Sequence, residues 1–182
     1  MDVEISCKFS EVVTAAFRKD RKKVITLLKN GAVNPNCRSC MISNGGYSQF
    51  PQIQLAMMLK LPEIAKDLIL HGSPLDLLDK RDESAMHYAA LYGHFDIAKM
   101  IVTHGGHIDI KNCDGRTPLY KAIERGRVEI AKLLIDQGAN LTLKDHWGKC
   151  VFDLSLRNLD EDRKQEIVDY IKMKSLESQK NE

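Results

Sequence analysis

A block of residues recurs along this chain every 33 positions, and a chain with such a period must stack its units, because no unit can cover its own apolar face. Ser84-Ala85-Met86-His87-Tyr88-Ala89-Ala90 and Thr117-Pro118-Leu119-Tyr120-Lys121-Ala122-Ile123 lie 33 residues apart, as do Ile97-Ala98-Lys99 and Ile130-Ala131-Lys132. Gly93 matches Gly126, and Gly105 matches Gly138. One step back, Pro51, Ile53, Ala56, Ile64-Ala65-Lys66 and Gly72 hold the same frame; one step on, Cys150, Phe152 and Ser155 continue it. The amino-terminal segment joins after a displacement of 40, with Val13, Ala16, Val24, Leu27, Leu28 and Asn34-Pro35-Asn36 in the corresponding places.

Each unit reads as a helix-turn-helix followed by a loop. Thr117 and Ser84 suit the position before a helix, where a side-chain oxygen accepts from free backbone N–H groups, and Pro118 and Pro51 suit a helix start that needs no N–H partner. Ala16, Ala56, Ala89 and Ala122 let helices approach closely, while Ile130, Leu133 and Leu134 form a stripe that buries against the next unit. Gly72, Gly105 and Gly138 are placed to end the second helix in a left-handed cap.

Over residues 6–174 these units resemble ankyrin repeats, most closely at Thr117-Pro118-Leu119, Gly126 and Gly138-Ala139-Asn140. The resemblance implies an all-α fold, a solenoid of stacked helix-turn-helix units with hairpin finger loops. It frames a single domain over 1–182 with repeats at 6–38, 46–78, 79–111, 112–144 and 145–174, a loop insertion at 39–45, and a polar tail at 175–182. Asp20, Lys60 and Leu159 stand where the family has its inter-helix glycine, and Asp153 stands where the family has the histidine that His87 retains. Repeats one, two and five are therefore expected to be less ideal than three and four. About four additional residues near Leu159 to Asp162 precede the apolar run Ile167 to Ile171, which makes the last repeat irregular.

Composition excludes several classes of function. Lys and Arg number 27 against 25 Asp and Glu, a balance that gives no nucleic-acid or membrane footprint. No run of eighteen apolar residues is present, and Met1 to Glu4 do not open a signal peptide. Five cysteines, an odd number in a chain large enough to fold without staples, suit a reducing compartment, so the expected location is cytoplasmic, nuclear or both. Cys37-Arg38-Ser39-Cys40 lacks the second ligand pair that zinc needs, and Cys37 falls in the apolar register of Leu77, Ile110 and Leu143. The histidines are scattered, Gly45-Gly46 and Gly105-Gly106 lack the Lys and Ser/Thr of a phosphate loop, and no nucleophile sits with a base. The expectation is a protein that is not an enzyme and needs no cofactor or metal.

What remains is binding of another protein. By resemblance, such repeats bind through the fingers and the exposed face of each first helix, on the concave side. In this frame the partner-binding candidates are Tyr47 and Phe50, Met58 and Leu59, Arg81, Leu91 and Tyr92, Arg116 and Arg125, and His146 and Trp147. Glu83, Asp114 and Lys149 also fall on finger positions, and Met58, Leu59, Leu91 and Tyr92 would form a central apolar strip flanked by the arginines. Asn36 occupies a place where the family can carry a hydroxylated asparagine, and Arg18 to Lys23 is a dense basic run. The reading is a monomeric adaptor or inhibitor that masks a partner's surface, with no role for nucleic acid or membrane. A substrate-recruiting scaffold subunit of a larger enzyme complex is the alternative.

Overall fold

The fold comes from a computed structural model, which describes residues 38–43, 46–154 and 160–180 together with Ala15, Arg18, Asp20, Lys22, Lys23, Ile25 and Thr26. Side chains are described at those seven positions and over 51–154 and 160–174. Three helix pairs follow one another: α1 (Gln52–Met58) with α2 (Pro62–Leu70), α3 (Ala85–Tyr92) with α4 (Phe95–Thr103), and α5 (Pro118–Glu124) with α6 (Val128–Asp136). A 3-10 turn (Val151–Asp153) and the long helix α7 (Glu161–Lys180) complete the stack. First helices α1, α3 and α5 pack in one layer and second helices α2, α4, α6 and α7 in another, each touching its predecessor.

The residues explain the elements. Thr117 Oγ1 accepts from the Tyr120 N–H (3.2 Å) to open α5, and Pro118 supplies its first turn. Gly72, Gly105 and Gly138 close the second helices at φ of 77°, 80° and 82°. Gly93 turns between α3 and α4 at φ 81°, where a Cβ would also lie 3.0 Å from the Arg127 side chain. At the equivalent turn Lys60 adopts φ 58° without being glycine, a conformation costing about 1–2 kcal/mol. In the first repeat, Asp20 Oδ1 instead accepts from the Lys23 N–H (3.0 Å). Between the layers Ile53, Met57, Met86, Ile97, Leu119, Ile130 and Leu134 are buried, with Ala56, Ala89 and Ala122 letting the helices close on one another.

Two regions differ from the sequence expectation. Residues 39–43 of the insertion at 39–45, expected as a loop, belong to strand β1 (Arg38–Ser43), which pairs antiparallel with β2 (Gly46–Pro51) in register from Arg38 opposite Pro51 to Ser43 opposite Gly46. That register leaves Asn44-Gly45 as the two residues between the strands, a dipeptide strongly favoured in hairpins. At the other end the described part of the first helix of repeat five is a 3-10 turn that ends at Asp153, while α7 begins at Glu161 and continues to Lys180 through residues expected as a polar tail. No Gly or Pro interrupts 161–180, its residues are mostly helix formers, and Asp160 Oδ1 accepts from the Arg163 N–H (2.9 Å) at its start.

One column of side chains links repeats two to three, three to four and four to five. Gln54 Nε2 donates to the Leu77 carbonyl within its own repeat and, across the boundary, to the Glu83 carbonyl (3.4 Å), and His87 Nε2 donates to the Arg116 carbonyl (3.0 Å). The Tyr120 hydroxyl lies beside the Asp145 carboxylate. In repeat five, Asp153 occupies the histidine's place and its Oδ2 accepts from the Cys150 N–H (2.9 Å). His87 is fully buried, and its Nδ1 accepts from the Ser84 N–H (3.1 Å), so the ring is neutral with its proton on Nε2.

Burial lowers the His87 pKa, outweighing the pull of the Arg116 carbonyl and Glu83. With the folded value below the unfolded one, near 6.5, the unfolded chain takes up the proton first. Stability carried by neutral His87 is therefore complete above about pH 6.5 and declines as pH falls through the folded value. His94 is lowered by burial in the same sense, whereas His107, raised by its hydrogen bond to Asp76, acts in the opposite one. Urea titrations between about pH 7.5 and 5 should show a smaller acid loss for His87→Gln than for the parent chain. Identical slopes would contradict a buried neutral imidazole.

Candidate functional site

Each finger is built around one polar residue at its base. Asp79 Oδ1 accepts from the N–H groups of Arg81 (2.8 Å) and Glu83 (2.9 Å). Asn112 Oδ1 does the same for Asp114 and Arg116, and Asp145 Oδ1 for Trp147 and Lys149. Each tip then turns through a left-handed residue, Asp82, Gly115 or Gly148. Neighbouring fingers are joined by backbone bonds, from the Cys113 N–H to the Arg81 carbonyl (2.9 Å) and from the His146 N–H to the Asp114 carbonyl (3.0 Å). The tips thus form a continuous edge beside the first helices.

The fingers sort their charges. Asp79, Glu83 and Asp145 are buried, whereas Lys80, Arg81 and Lys149 are exposed. Asp79 Oδ2 also accepts from the Tyr88 hydroxyl (2.8 Å), and burial together with that bond pushes the tyrosine pKa up. Burial pushes the Asp145 carboxyl up as well, but the backbone N–H groups of Lys149 and Trp147, the Tyr120 hydroxyl and Arg116 hold it below the usual carboxylate range. Burial pushes the Tyr120 pKa up to about 12.

Trp147 stands at a finger tip with 64% of its surface exposed, the sole tryptophan of the chain. The Arg116 guanidinium lies 5.4 Å from its ring centre and 5.0 Å from that of Tyr120. Arg116 is itself fixed by Glu124 (3.1 Å) and sits 3.8 Å from Asp145. Two ion-paired carboxylates and two rings therefore hold the cation, and the cation holds the indole.

Of the predicted partner residues, the structure groups Arg81, Arg116, His146 and Trp147 on the finger edge, with His146, Trp147 and Arg81 exposed. Arg81 pairs with Asp114 (3.4 Å). Arg125 caps α5 and is exposed. Met58, Leu59, Leu91 and Tyr92 are half-buried at the ends of α1 and α3; Met58 and Tyr92 pack against the core, and the Tyr92 ring lies 6.0 Å from that of Tyr88. Tyr47 and Phe50 lie on β2, with side chains outside the described residues, as is Asn36 altogether. Of the basic run, Arg18, Lys22 and Lys23 are described and exposed.

Glu83, expected on the finger surface, is buried instead. Its Oε1 accepts from Lys121 Nζ (2.8 Å) and from Asn112 Nδ2 (3.2 Å), forming a polar knot between repeats three and four. Sequence reasoning misses this knot because Lys121 follows Tyr88 and precedes Leu154 at its repeat position, so the repeat pattern gives no warning of a cation there.

A ladder of helix pairs with linked fingers defines a repeat protein whose working surface is an extended edge, a protein–protein interaction module. The chain belongs to the ankyrin-repeat family: the family model for ankyrin repeats, in three copies, matches residues 53–145, about half of the chain. That family's fold serves interaction rather than catalysis. No curated protein matches the chain. Among the described residues no helix is long and apolar enough to cross a membrane.

Proposed function

We propose that the protein is a monomeric adaptor or inhibitor of the cytoplasm or nucleus that masks a partner protein's surface with its fingers and first helices. It acts without a cofactor and catalyses no reaction. The observation that carries this reading is the linked finger edge, since backbone bonds between tips fix a broad binding surface before any partner arrives, which lowers the ordering cost of association. Exposed Trp147, Arg81 and Arg125 are residue types that dominate binding energy at interfaces.

Affinity purification with cross-linking and mass spectrometry tests the proposal. Cross-links should fall on the fingers and first helices, and Trp147→Ala and Tyr92→Ala should each weaken the identified partner by about 1–3 kcal/mol. Tyr92 packs against the core, so its variant is compared at matched folded fraction. If both variants fold and bind as tightly as the parent, the surface is elsewhere. Loss of the partner's own activity on binding marks an inhibitor; capture of a third protein through the complex marks the recruiting scaffold.

A further inference from the structure

We infer that the finger edge docks an acidic polypeptide segment carrying one aromatic or branched apolar side chain, which seats on the open face of Trp147. The inference rests on the reading of this edge as a protein-binding surface, and it adds the partner's chemistry and the point of closest engagement. Its first support is the sorting of charge described above. The chain as a whole is nearly neutral at +2, yet the finger carboxylates Asp79, Glu83 and Asp145 turn inward onto N–H, hydroxyl and ammonium donors. Arg81, which reaches Asp114 at 3.4 Å, Lys149 and, at the end of α5, Arg125 are exposed. An edge that buries three of its carboxylates while its cations stay exposed is complementary to carboxylates on a partner.

The second support is Trp147. Its ring is stacked on a guanidinium that is itself clamped between a second ring and two carboxylates, so the indole is held in place while most of its surface meets solvent. A pre-positioned aromatic loses little conformational freedom when a partner side chain covers it. Exposed Asp82 and the carboxylates of Asp114 and Glu124 interrupt the row of cations. Such an interrupted row suits discrete carboxylates on a polypeptide and breaks the track that a continuous phosphate backbone would follow.

Because Trp147 is the sole tryptophan, its emission reports the site directly. The probes are short tryptophan-free peptides rich in Asp and Glu that differ in one central residue, Phe, Leu or Ala, alongside the Phe peptide with lysines in place of its acids and a single-stranded oligouridylate. The Phe and Leu peptides should shift the emission to the blue and saturate, with the Ala peptide at least about tenfold weaker. Raising salt from about 50 to 200 mM should weaken binding severalfold. Joint Arg81→Glu and Lys149→Glu substitution should weaken it about tenfold, and Trp147→Phe, followed with a labelled peptide, should retain most of it. Absence of saturable binding by any acidic peptide, or equal or tighter binding of the lysine peptide or the oligouridylate, overturns the inference. A captured protein partner that is lost on Trp147→Ala but is indifferent to salt and to the charge reversals also overturns it, while the interaction module itself stands.

Discussion

Replacing Lys121 with methionine should destabilise the fold by about 3–5 kcal/mol, because it strands a buried carboxylate. Glu83 is 4% exposed and Lys121 7%, and the 2.8 Å contact between them crosses from the third repeat to the fourth. Without the ammonium, Glu83 keeps only the Asn112 amide as a side-chain donor at 3.2 Å, too little to offset its removal from water. The pair as a whole is a different matter, since two charges taken out of water repay little more than an apolar pair of similar volume. Glu83→Leu combined with Lys121→Met should therefore recover much of the loss. A double-mutant cycle from urea unfolding measures both effects, and a Lys121→Met variant within about 1 kcal/mol of the parent would refute the assignment.

The second large effect is a cavity. Leu119 is completely buried in α5, so Leu119→Ala should cost about 2–5 kcal/mol. Ile171, nearly as buried in α7, makes the informative comparison, because it belongs to a terminal unit with one neighbour. Loss at 119 should raise amide exchange across α3 to α6, since interior repeats share their stability with both neighbours. Loss at 171 should raise exchange mainly in α7 and the residues of α6 that it covers. Equal spreading from both sites would show that the stack melts as one block rather than by neighbouring units.

Much of the helical stack was legible because the period of 33 forces the same local chemistry to recur: an alanine on the first helix, an apolar stripe on the second, a glycine after it. The hairpin at 38–51 was legible in principle, since Asn44-Gly45 is a turn signal, but an insertion in a helical repeat invites the simpler reading of a loop. The reach of α7 to Lys180 was obscured because its last six residues, 175–180, hold Leu176 as their one apolar side chain, and such a segment reads equally as tail and as helix. The site was harder. Position alone put Glu83, Arg116 and Lys149 in one column of finger residues, and only stacking shows that the first is buried on a lysine, the second is sandwiched between rings, and the third meets solvent. Contacts across the repeat boundary decide these roles, and the repeat pattern does not encode them.

The column of Gln54, His87 and Tyr120 makes the three joints from repeat two to repeat five different mechanical parts. An amide, an imidazole and a phenol fill the same slot, and each meets its own group on the next finger: the Glu83 carbonyl, the Arg116 carbonyl and the Asp145 carboxylate. Such side chains act as shims of unequal thickness, so the tilt between successive units can be adjusted one joint at a time without disturbing the helices on either side. Of the three, only the imidazole can take up a proton in acid, and burial, which lowers its pKa, keeps the joint between repeats three and four neutral while the stack is folded.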